Sequence, residues 1–429
     1  MSLRGRLSRL APPSPGPPPG RTAVLDDLRA RMQEVLARAH KREEPRAPAL
    51  DTPELPFVTR DTPLGPLHER ALCLSSAHRM GRVPIHPARR ACADILALLA
   101  LDPTIGTCDP ARALYLDTET TGLAGGAGTV AFLIGLASWE ELDGEPPGAP
   151  RLVLEQLLVR NLGEEAPMLE RVAARIREAS MLVTFNGKAF DLPLLRARFV
   201  MARMEAPPEP PHLDLVHVAR RLHKPRGLDC KLTSLERALL GFERIDDVPG
   251  GEVSACYLHF LRTGDTRALL GVIDHNAWDV VAMAALVGLY GEPLEESQLP
   301  ADDLAGVART FKRAGAIDKA FEVAERAVNE ASTSVHARRV RAEIAKARGD
   351  RARALADFEV IASQIPCGKA RLELAKLYEH FAKEHARALV IVEAGTAEDS
   401  QRSLRRARRL REKIEKKSRA VLFGRSRRT

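Results

Sequence analysis

The stretch ALYLDTETTGLAGGAGTVAFLIGLAS, residues 113–138, decides which fold the sequence predicts. The apolar run 113–116 predicts a buried β-strand, and the run 130–137, after a glycine-rich turn, predicts its hairpin partner. Asp117 and Glu119 end the first strand two residues apart, so their carboxylates face the same side of the strand. Two such carboxylates repel each other unless a cation lies between them, and their hard oxygen ligands suit Mg²⁺ or Mn²⁺.

A third acid follows another predicted strand. Residues 181–185 (MLVTF) predict a short buried strand, and the sequence NGKAFD comes directly after it. Its last residue, Asp191, begins a predicted helix, where it could join the strand-end acids or cap the helix N-terminus. Lys188 in the same turn could neutralise a phosphate or lie on the surface as an ordinary lysine. We count Lys188 and Asn186 as candidate nucleic-acid contacts.

Two further candidates lie in GVIDHNAWDVVAMAALVGLY, residues 271–290, which predicts one long helix. His275 and Asp279 are four positions apart and therefore project from one helix face. The strongly apolar flanking face predicts that this pair lies against the domain core, whereas a solvent-exposed His/Asp pair is the plain alternative. Asp274 points about 100° away on an ideal helix and is not counted.

Together these residues have the chemistry of phosphodiester hydrolysis. Four carboxylates are more than one ion needs, and they suit two divalent cations, Mg²⁺ or Mn²⁺, about 3.5–4 Å apart, which clamp the attacking water and the leaving oxygen. His275 would be the general base that takes the proton of the water, a role worth about 10²–10⁴-fold in rate. The four carboxylates are those of Asp117, Glu119, Asp191 and Asp279.

The motifs DTETTGL, NGKAFDLPLL and HNAWD resemble those of the DEDD superfamily of 3′–5′ exonucleases. More closely, they resemble the YprB-type ribonuclease-H-like domain, which is related to the proofreading domain of B-family DNA polymerases. The resemblance covers about residues 55–293. It implies that the four acids bind two metal ions and that His275 orients or deprotonates the water. His275 precedes Asp279 by four positions, as the tyrosine does in the tyrosine branch of the superfamily, whereas the histidine branch has five.

The predicted fold is α/β, with a ribonuclease-H-like exonuclease domain followed by an all-α helical-repeat domain. Residues 1–54 are expected to be a disordered Pro-rich N-terminus that contains one amphipathic helix at 22–42. The exonuclease domain with an N-terminal extension is assigned to residues 55–293. Tetratricopeptide-like repeats are assigned to 300–395, and a basic tail to 401–429.

The repeat prediction comes from a 34-residue period. Alanines followed by a large apolar residue recur at this interval, and two glycines keep the same interval. The period is typical of tetratricopeptide helix-turn-helix units, which stack into a surface for partners and carry no chemistry. An ordinary helical bundle with chance spacing is the alternative. The alanines are Ala320, Ala354 and Ala388, the glycines are Gly315 and Gly349, and Lys383 breaks the glycine pattern.

The net charge of +8 is concentrated at the C-terminus, because residues 401–429 contain 13 Lys and Arg residues and two acids. Such a run could be a solvated helical extension, or it could hold nucleic-acid phosphates with a strong salt dependence. A second basic cluster lies in the exonuclease region, and we expect it to contact the nucleic-acid backbone rather than form a solvated face. Its candidate residues are Arg220, Arg221, Lys224 and Arg226.

The six cysteines are scattered without a C-x-x-C pair, which argues against a zinc ribbon or a disulfide framework and fits a reducing cytosol. No apolar run approaches about 18 residues, so we expect no membrane span and a cytoplasmic protein. The expected function is metal-dependent 3′–5′ exonuclease activity on DNA, in DNA repair, with repeats that recruit a protein partner such as a helicase. A non-catalytic nucleic-acid-binding scaffold and an RNA-processing exonuclease are the alternatives.

Overall fold

The computed structural model describes residues 52–122, 128–141 and 150–425, with side chains as far as residue 419. The predicted N-terminal helix at 22–42, the Pro-rich segment around it and most of the glycine-rich turn lie outside the described residues. Pro53–Thr429 form one compact unit. Within this unit, an α/β region is followed by a region of stacked helices.

A seven-stranded mixed sheet forms the centre of the α/β region. The strands are β1 (Val58–Thr62), β2 (Gly65–Leu74), β5 (Ala113–Thr120), β6 (Ala131–Glu140), β7 (Arg151–Leu158), β8 (Met181–Thr184) and β9 (His212–Asp214), and a separate ribbon contains β3 (Arg79–Met80) and β4 (Val83–Pro84). Their order in the sheet is β1-β2-β7-β6-β5-β8-β9. The pairs β5/β8 and β8/β9 are parallel, and the other neighbours are antiparallel. The sequence-based prediction of an α/β fold is thereby confirmed.

The predicted hairpin lies in the middle of this sheet. Strand β5 pairs with β6 through Leu116 opposite Leu136 and Glu119 opposite Leu133, with a bulge after Glu119. The first four residues of β5 are buried and the last four are half-buried. The apolar half of the strand therefore lies in the core, and the strand becomes accessible to solvent from Asp117 onward.

Among the described residues, seven α-helices accompany the sheet. They are α1 (Ala93–Ala100), α2 (Ala166–Glu178), α3 (Asp191–Met201), α4 (Leu215–Leu222), α5 (Leu232–Leu235), α6 (Val253–Thr263) and α7 (Arg267–Tyr290). Leu114 and Leu116 of β5 join the core made with α2 and α3, whereas Tyr115 joins the core that contains α7. Because strand side chains alternate, Asp117 and Glu119 face the α7 side of the sheet.

Helix α7 is a core helix. Every residue from Val280 to Tyr290 is buried. Among the described helices, α7 has the length and hydropathy that a membrane span would need, but 67% of that window is buried inside the fold. Gly135 of β6 allows its close approach, because an added Cβ would lie 2.4 Å from Asn276 Oδ1 and 2.8 Å from Val280 Cγ2.

The C-terminal region is all-helical, as predicted. Its helices are α8 (Ala301–Arg313), α9 (Ile317–Glu330), α10 (Val335–Arg348), α11 (Arg351–Gln364), α12 (Gly368–Leu377), α13 (His385–Glu393) and α14 (Ser400–Arg425). The starts of α9, α11 and α13 are 34 residues apart, and the three alanines of the predicted period are fully buried. Gly315, Gly349 and Lys383 all have positive φ, of 86°, 93° and 58°. Lys383 therefore keeps the left-handed conformation that glycine adopts at the equivalent positions.

One buried carboxylate fastens α14 to the stacked helices. Glu379, which is fully buried, accepts hydrogen bonds from Arg406 at 2.9 Å, from Arg409 at 2.8 Å and from Lys413 at 2.8 Å. Arg406 also pairs with Glu398 at 2.7 Å. One group of basic residues in the predicted tail therefore has a structural role.

The stacked helices share a hydrophobic core with the α/β region. Leu304 and Phe311 of α8 pack in the same core as Leu222 and Tyr290. An added Cβ on Gly306 of α8 would lie 2.6 Å from the carbonyl oxygen of Leu222, so the two backbones nearly touch. The two regions are therefore packed against each other and are not separate domains joined by a linker.

Buried polar contacts reinforce this junction. His223 Nδ1 lies 2.8 Å from Asp303 Oδ1, and His223 Nε2 lies 2.8 Å from the hydroxyl of Tyr290. Arg226 Nε donates to the same oxygen of Asp303 at 2.6 Å. The carboxylate of Asp303 on α8 thus meets two groups of the α/β region.

Candidate active site

The acidic residues singled out in the sequence converge at the end of β5. Asp117 and Glu119 come from the strand, Asp191 from the first turn of α3, and Asp279 from the middle of α7. A pocket of about 250 Å³ opens beside them and includes Asp117, Glu119 and Asp191 in its lining. Three segments that are distant in the sequence therefore bring carboxylates close together at the end of β5.

Asp117 is oriented by a chain of amides. Asn276 Nδ2 donates to Asp117 Oδ2 at 2.9 Å. Gln156, which is fully buried, donates to Asn276 Oδ1 at 3.0 Å and to the carbonyl of Ile273 at 2.7 Å. Arg70 in turn donates to Gln156 Oε1 at 3.1 Å. Because Asn276 Oδ1 is held by Gln156, its amide nitrogen faces Asp117.

Asp191 is held in place from β5 as well. Thr118 Oγ1 donates to Asp191 Oδ1 at 2.6 Å, which fits the alternation that turns Thr118 toward α3. Phe190 is the N-cap residue of α3, and no side-chain cap bond forms there. Asp191 is thus the first residue of α3 rather than its N-cap, and its carboxylate accepts a hydrogen bond from the strand.

The turn before Asp191 is fixed by another buried acid. Asp214, at the end of β9, accepts from the backbone nitrogens of Asn186 at 2.7 Å and Lys188 at 3.1 Å, and it also caps α4 through Val216 at 3.2 Å. Gly187 is required here, because an added Cβ would lie 2.5 Å from Thr184 Oγ1. This bracing places the start of α3, and hence Asp191, against the end of β5.

His275 faces the acids with one ring nitrogen. Its Nε2 lies 4.0 Å from Glu119 Oε1 and 3.7 Å from Asp279 Oδ2. Its other nitrogen, Nδ1, lies 2.6 Å from Asp247 Oδ1. Asp274, the neighbour on the same helix, is 56% exposed and approaches Arg70 at 3.8 Å instead. His275 and Asp279 thus lie on the face of α7 that is turned toward Glu119, and Asp274 does not, as the helical spacing indicated.

Arg244 is a cation of this site that the sequence reasoning missed. Its side chain is only 4% exposed, and it pairs with Glu236 at 2.6 Å and with Asp279 Oδ1. Its guanidinium carbon lies 5.7 Å from the ring centre of Trp278. Arg244 therefore neutralises part of the charge on one side of Asp279, while the other oxygen of Asp279 faces His275.

The acids of the pocket repel one another in poor contact with water. Burial raises the pKa of Asp117 well above its ordinary value, and Asp279 and the other two acids raise it further. Burial and Asp279 raise the pKa of Glu119 to about 7. Burial is also the main cause that raises the pKa of Asp191 to about 6.

The pKa of His275 is raised as well, but by its acidic neighbours and against the effect of burial. Burial lowers its pKa, but the charges of Asp279 and Glu119 and the hydrogen bond with Asp247 outweigh this effect, so the pKa is raised. The site therefore carries more negative charge than Arg244 and His275 compensate. Such a surplus on hard oxygen atoms is what a bound divalent cation would neutralise.

The donor set fits a divalent cation. Glu119, His275 and Asp279 each offer one ligand atom, and these three atoms lie within 4.8 Å of one another. Carboxylate oxygens suit Mg²⁺ and Mn²⁺, whereas an imidazole nitrogen suits Zn, Cu, Fe and Ni. Glu119 and Asp279 can therefore hold a hard cation while Nε2 of His275 keeps its lone pair. Asp117 and Asp191 border the same pocket.

The predicted nucleic-acid contacts fall into two groups. Lys188, Arg220 and Lys224 are exposed, and Asn186 lines the pocket. Arg221 instead donates to the carbonyls of Leu99 and Ala100, each at 3.0 Å, and Arg226 pairs with Asp303. Arg221 and Arg226 thus have partners within the protein. Arg221 binds the carbonyls at the C-terminal end of α1, and Arg226 binds an acid of α8.

The residues missed in the sequence differ in how easily they could have been found. Asn276 stands inside the HNAWD motif, directly after His275, and its position was the available signal. Arg244 and Asp247 lie in the segment between α5 and α6, which has no periodic pattern. Their approach to α7 depends on tertiary packing alone.

A mixed sheet whose central strand ends in acids, with further acids from two packed helices, defines the ribonuclease-H-like class of nucleases. A family model described as "RNase_H superfamily" matches residues 114–290. The chain is also similar to the uncharacterized protein YprB of Bacillus subtilis (strain 168), with 31% identity over 288 residues, 65% of this chain and 68% of YprB. The chain belongs to the RNase H superfamily, within the family that includes YprB. This membership indicates a nuclease that hydrolyses phosphodiester bonds of nucleic acids.

Proposed function

We propose that the protein is a metal-dependent 3′–5′ exonuclease that acts on DNA in cytoplasmic DNA repair. The observation that carries this proposal is the convergence of four carboxylates and one histidine at the end of β5. A pocket with this charge would repel the phosphates of a nucleic acid unless cations were bound. The 3′–5′ polarity and the preference for DNA rest on the motif resemblance, and digestion of end-labelled DNA and RNA tests both.

The four acids are the proposed metal ligands, and two neighbouring side chains orient two of them. Asp117, Glu119, Asp191 and Asp279 would hold two divalent cations, Mg²⁺ or Mn²⁺. When bound, such cations neutralise the developing charge of the phosphodiester and lower the pKa of water. Asn276 and Thr118 keep the carboxylates of Asp117 and Asp191 in orientation through their hydrogen bonds.

His275 is the proposed general base. Its Nε2 faces Glu119 and Asp279, on the side of the acids, and would take the proton of the attacking water. Because these acids raise the pKa of His275, the ring holds a proton more strongly in their presence than a free histidine does. Partial neutralisation of the acids would release the ring for proton transfer near neutral pH.

The surroundings of the pocket suit a polyanionic substrate. Lys188 is exposed in the turn that leads to Asp191, and Arg220 and Lys224 are exposed on and after α4. These cations would position the phosphate backbone without reading its sequence. The helices with a 34-residue period would act as tetratricopeptide-like repeats that bind a protein partner, and a helicase that supplies free ends would suit an exonuclease.

The test is a digestion panel with purified full-length protein. Single- and double-stranded DNA and RNA, each labelled at either end, are incubated with Mg²⁺, Mn²⁺ or EDTA. We expect release of nucleotides from the 3′ end of DNA with either cation and none with EDTA. Asp279→Asn should lose the activity, while Asp274→Asn, on the other face of the same helix, should retain it.

Each other result has a distinct meaning. Equal activity in Asp279→Asn and the wild type would exclude the proposed site. Digestion of RNA alone would make the protein an RNA-processing enzyme, and binding without any digestion would favour the scaffold alternative.

A further inference from the structure

Nδ1 of His275 contacts a carboxylate and a guanidinium group. Asp247 Oδ1 lies at 2.6 Å and Arg244 Nη1 at 3.2 Å. A neutral imidazole has one nitrogen that donates and one that accepts. An unprotonated Nδ1 would place its lone pair against the carboxylate, so the shorter contact requires a proton on Nδ1 that is donated to Asp247.

Arg244 does not need His275 as an acceptor. Its nitrogens already pair with Glu236 and Asp279, and Nη1 also lies 3.5 Å from Asp247 Oδ2. This last contact holds the second oxygen of Asp247, so that Oδ1 is left to face the ring. Arg244 therefore orients the carboxylate of Asp247, and this carboxylate is the group that contacts His275.

We propose that Asp247 is the positioning residue of His275: it fixes the Nδ1–H tautomer, and Arg244 orients Asp247 for this purpose. The Nε2 lone pair then faces Glu119 and Asp279. This inference deepens the proposed function, since a general base needs its lone pair on the side of the reacting water. A carboxylate behind a functional histidine serves the same purpose in metal sites and in catalytic triads.

The alternative tautomer is what the site would adopt without Asp247. Glu119 Oε1 and Asp279 Oδ2 both face Nε2 and would attract a proton there. A ring protonated at Nε2 cannot accept a proton from water. Removal of the Asp247 carboxylate should therefore move the proton from Nδ1 to Nε2 in the neutral ring.

The tautomer can be observed directly. Full-length protein labelled with ¹⁵N-histidine, free of metal and at a pH where His275 is neutral, is studied by long-range ¹H–¹⁵N correlation, with His275 assigned from His275→Gln. We expect a protonated Nδ1 and an unprotonated Nε2 in the wild type. Asp247→Ala should show the reverse, and Asp246→Asn, which removes the same charge one residue earlier and tolerates the positive φ of 55°, should match the wild type.

Kinetics supply a second readout. On DNA with Mg²⁺, Asp247→Ala should lower kcat about 10–100-fold with little change in KM, as expected for a group that orients another. Asp246→Asn should leave kcat unchanged. A wild-type ring protonated at Nε2 would overturn the inference, and this holds even if the alanine variant does not fold. An inactive wild type with the expected tautomer would instead overturn the proposed function alone.

Discussion

Two groups of buried carboxylates in this protein have opposite electrostatic surroundings. Glu379 is buried among cations: burial acts to raise its pKa, but Arg409 and Lys413 outweigh this and lower it to about 2. In the pocket, burial and like charges instead raise the pKa of Glu119 to about 7. A carboxylate surrounded by cations holds the structure together, whereas carboxylates surrounded by one another are a cost to stability that a bound cation offsets.

The largest effect should follow from changing the structural carboxylate. Glu379→Gln should lower the free energy of unfolding by about 3 kcal/mol, the lower end for breaking a buried ion pair, because Arg409 and Lys413 keep contact with water. Denaturant unfolding measures this change. Glu393→Gln, which removes a half-exposed partner of Arg411, should change stability by less than about 1 kcal/mol. Equal, small effects of both variants would show that Glu379 does not anchor α14.

The pH dependence of this difference has a defined sign. The pKa of Glu379 is lower in the folded state than its ordinary value of 4.5, so the stabilisation is complete above about pH 4.5. It is lost as the pH falls toward about 2. The gap between wild type and Glu379→Gln should therefore narrow below about pH 4.5.

A smaller change in stability is expected at the pocket, where the carboxylates repel one another and a bound cation should stabilise the fold. Mn²⁺ at about a hundredfold excess over its Kd should stabilise the wild type by about 2.7 kcal/mol per site, measured by thermal unfolding. Asp117→Asn should lose most of this response, and without metal it should be at least as stable as the wild type at pH 8, because one repelling charge is gone. Asp274→Asn should respond as the wild type does.

The pH dependence of stability tests the same repulsion between the carboxylates of the pocket. In the metal-free protein the raised pKa of Glu119 means that the folded state binds more protons than the unfolded state between about pH 4.5 and 7. Stability should fall as the pH rises through this window. A full Mn²⁺ response in Asp117→Asn would show that this carboxylate is not a ligand.

The smallest effect concerns the basic helix α14. Arg405, Arg408 and Lys416 are exposed, whereas Arg406, Arg409 and Lys413 are used by Glu379. Changing the exposed three to glutamine should leave folding intact and reduce the slope of log K against log salt for single-stranded DNA by about 2. Filter binding at several salt concentrations measures the slope. An unchanged slope would mean that this face of α14 does not contact the substrate.

The sequence was most informative where a regular period governs direction. Strand alternation predicted that Asp117 and Glu119 share a face, and both side chains face α7 in the structure. Helical spacing predicted that His275 and Asp279 share a face, and their side chains lie close together. The 34-residue period likewise predicted stacked helices, and the starts of α9, α11 and α13 keep this interval. In these segments the position of a side chain follows from local geometry alone.

The sequence was least informative where contacts join distant segments. Arg221 and Arg226 belong to a basic cluster in the sequence, but their partners, the carbonyls after α1 and Asp303, are supplied by other parts of the chain. The contact between Asp247 and His275 joins an irregular segment to α7. No local period carries this information, because it arises only when the helices pack.

The packing of α8 against Leu222 limits how the protein can be divided for experiments. A fragment that ended after α7 would leave the apolar side chains of Leu222 and Tyr290 facing water, and His223 would lose its contact with Asp303. Such a fragment is expected to aggregate, although its catalytic motifs would be complete. Truncated or fused versions of this nuclease should therefore retain the first stacked helices.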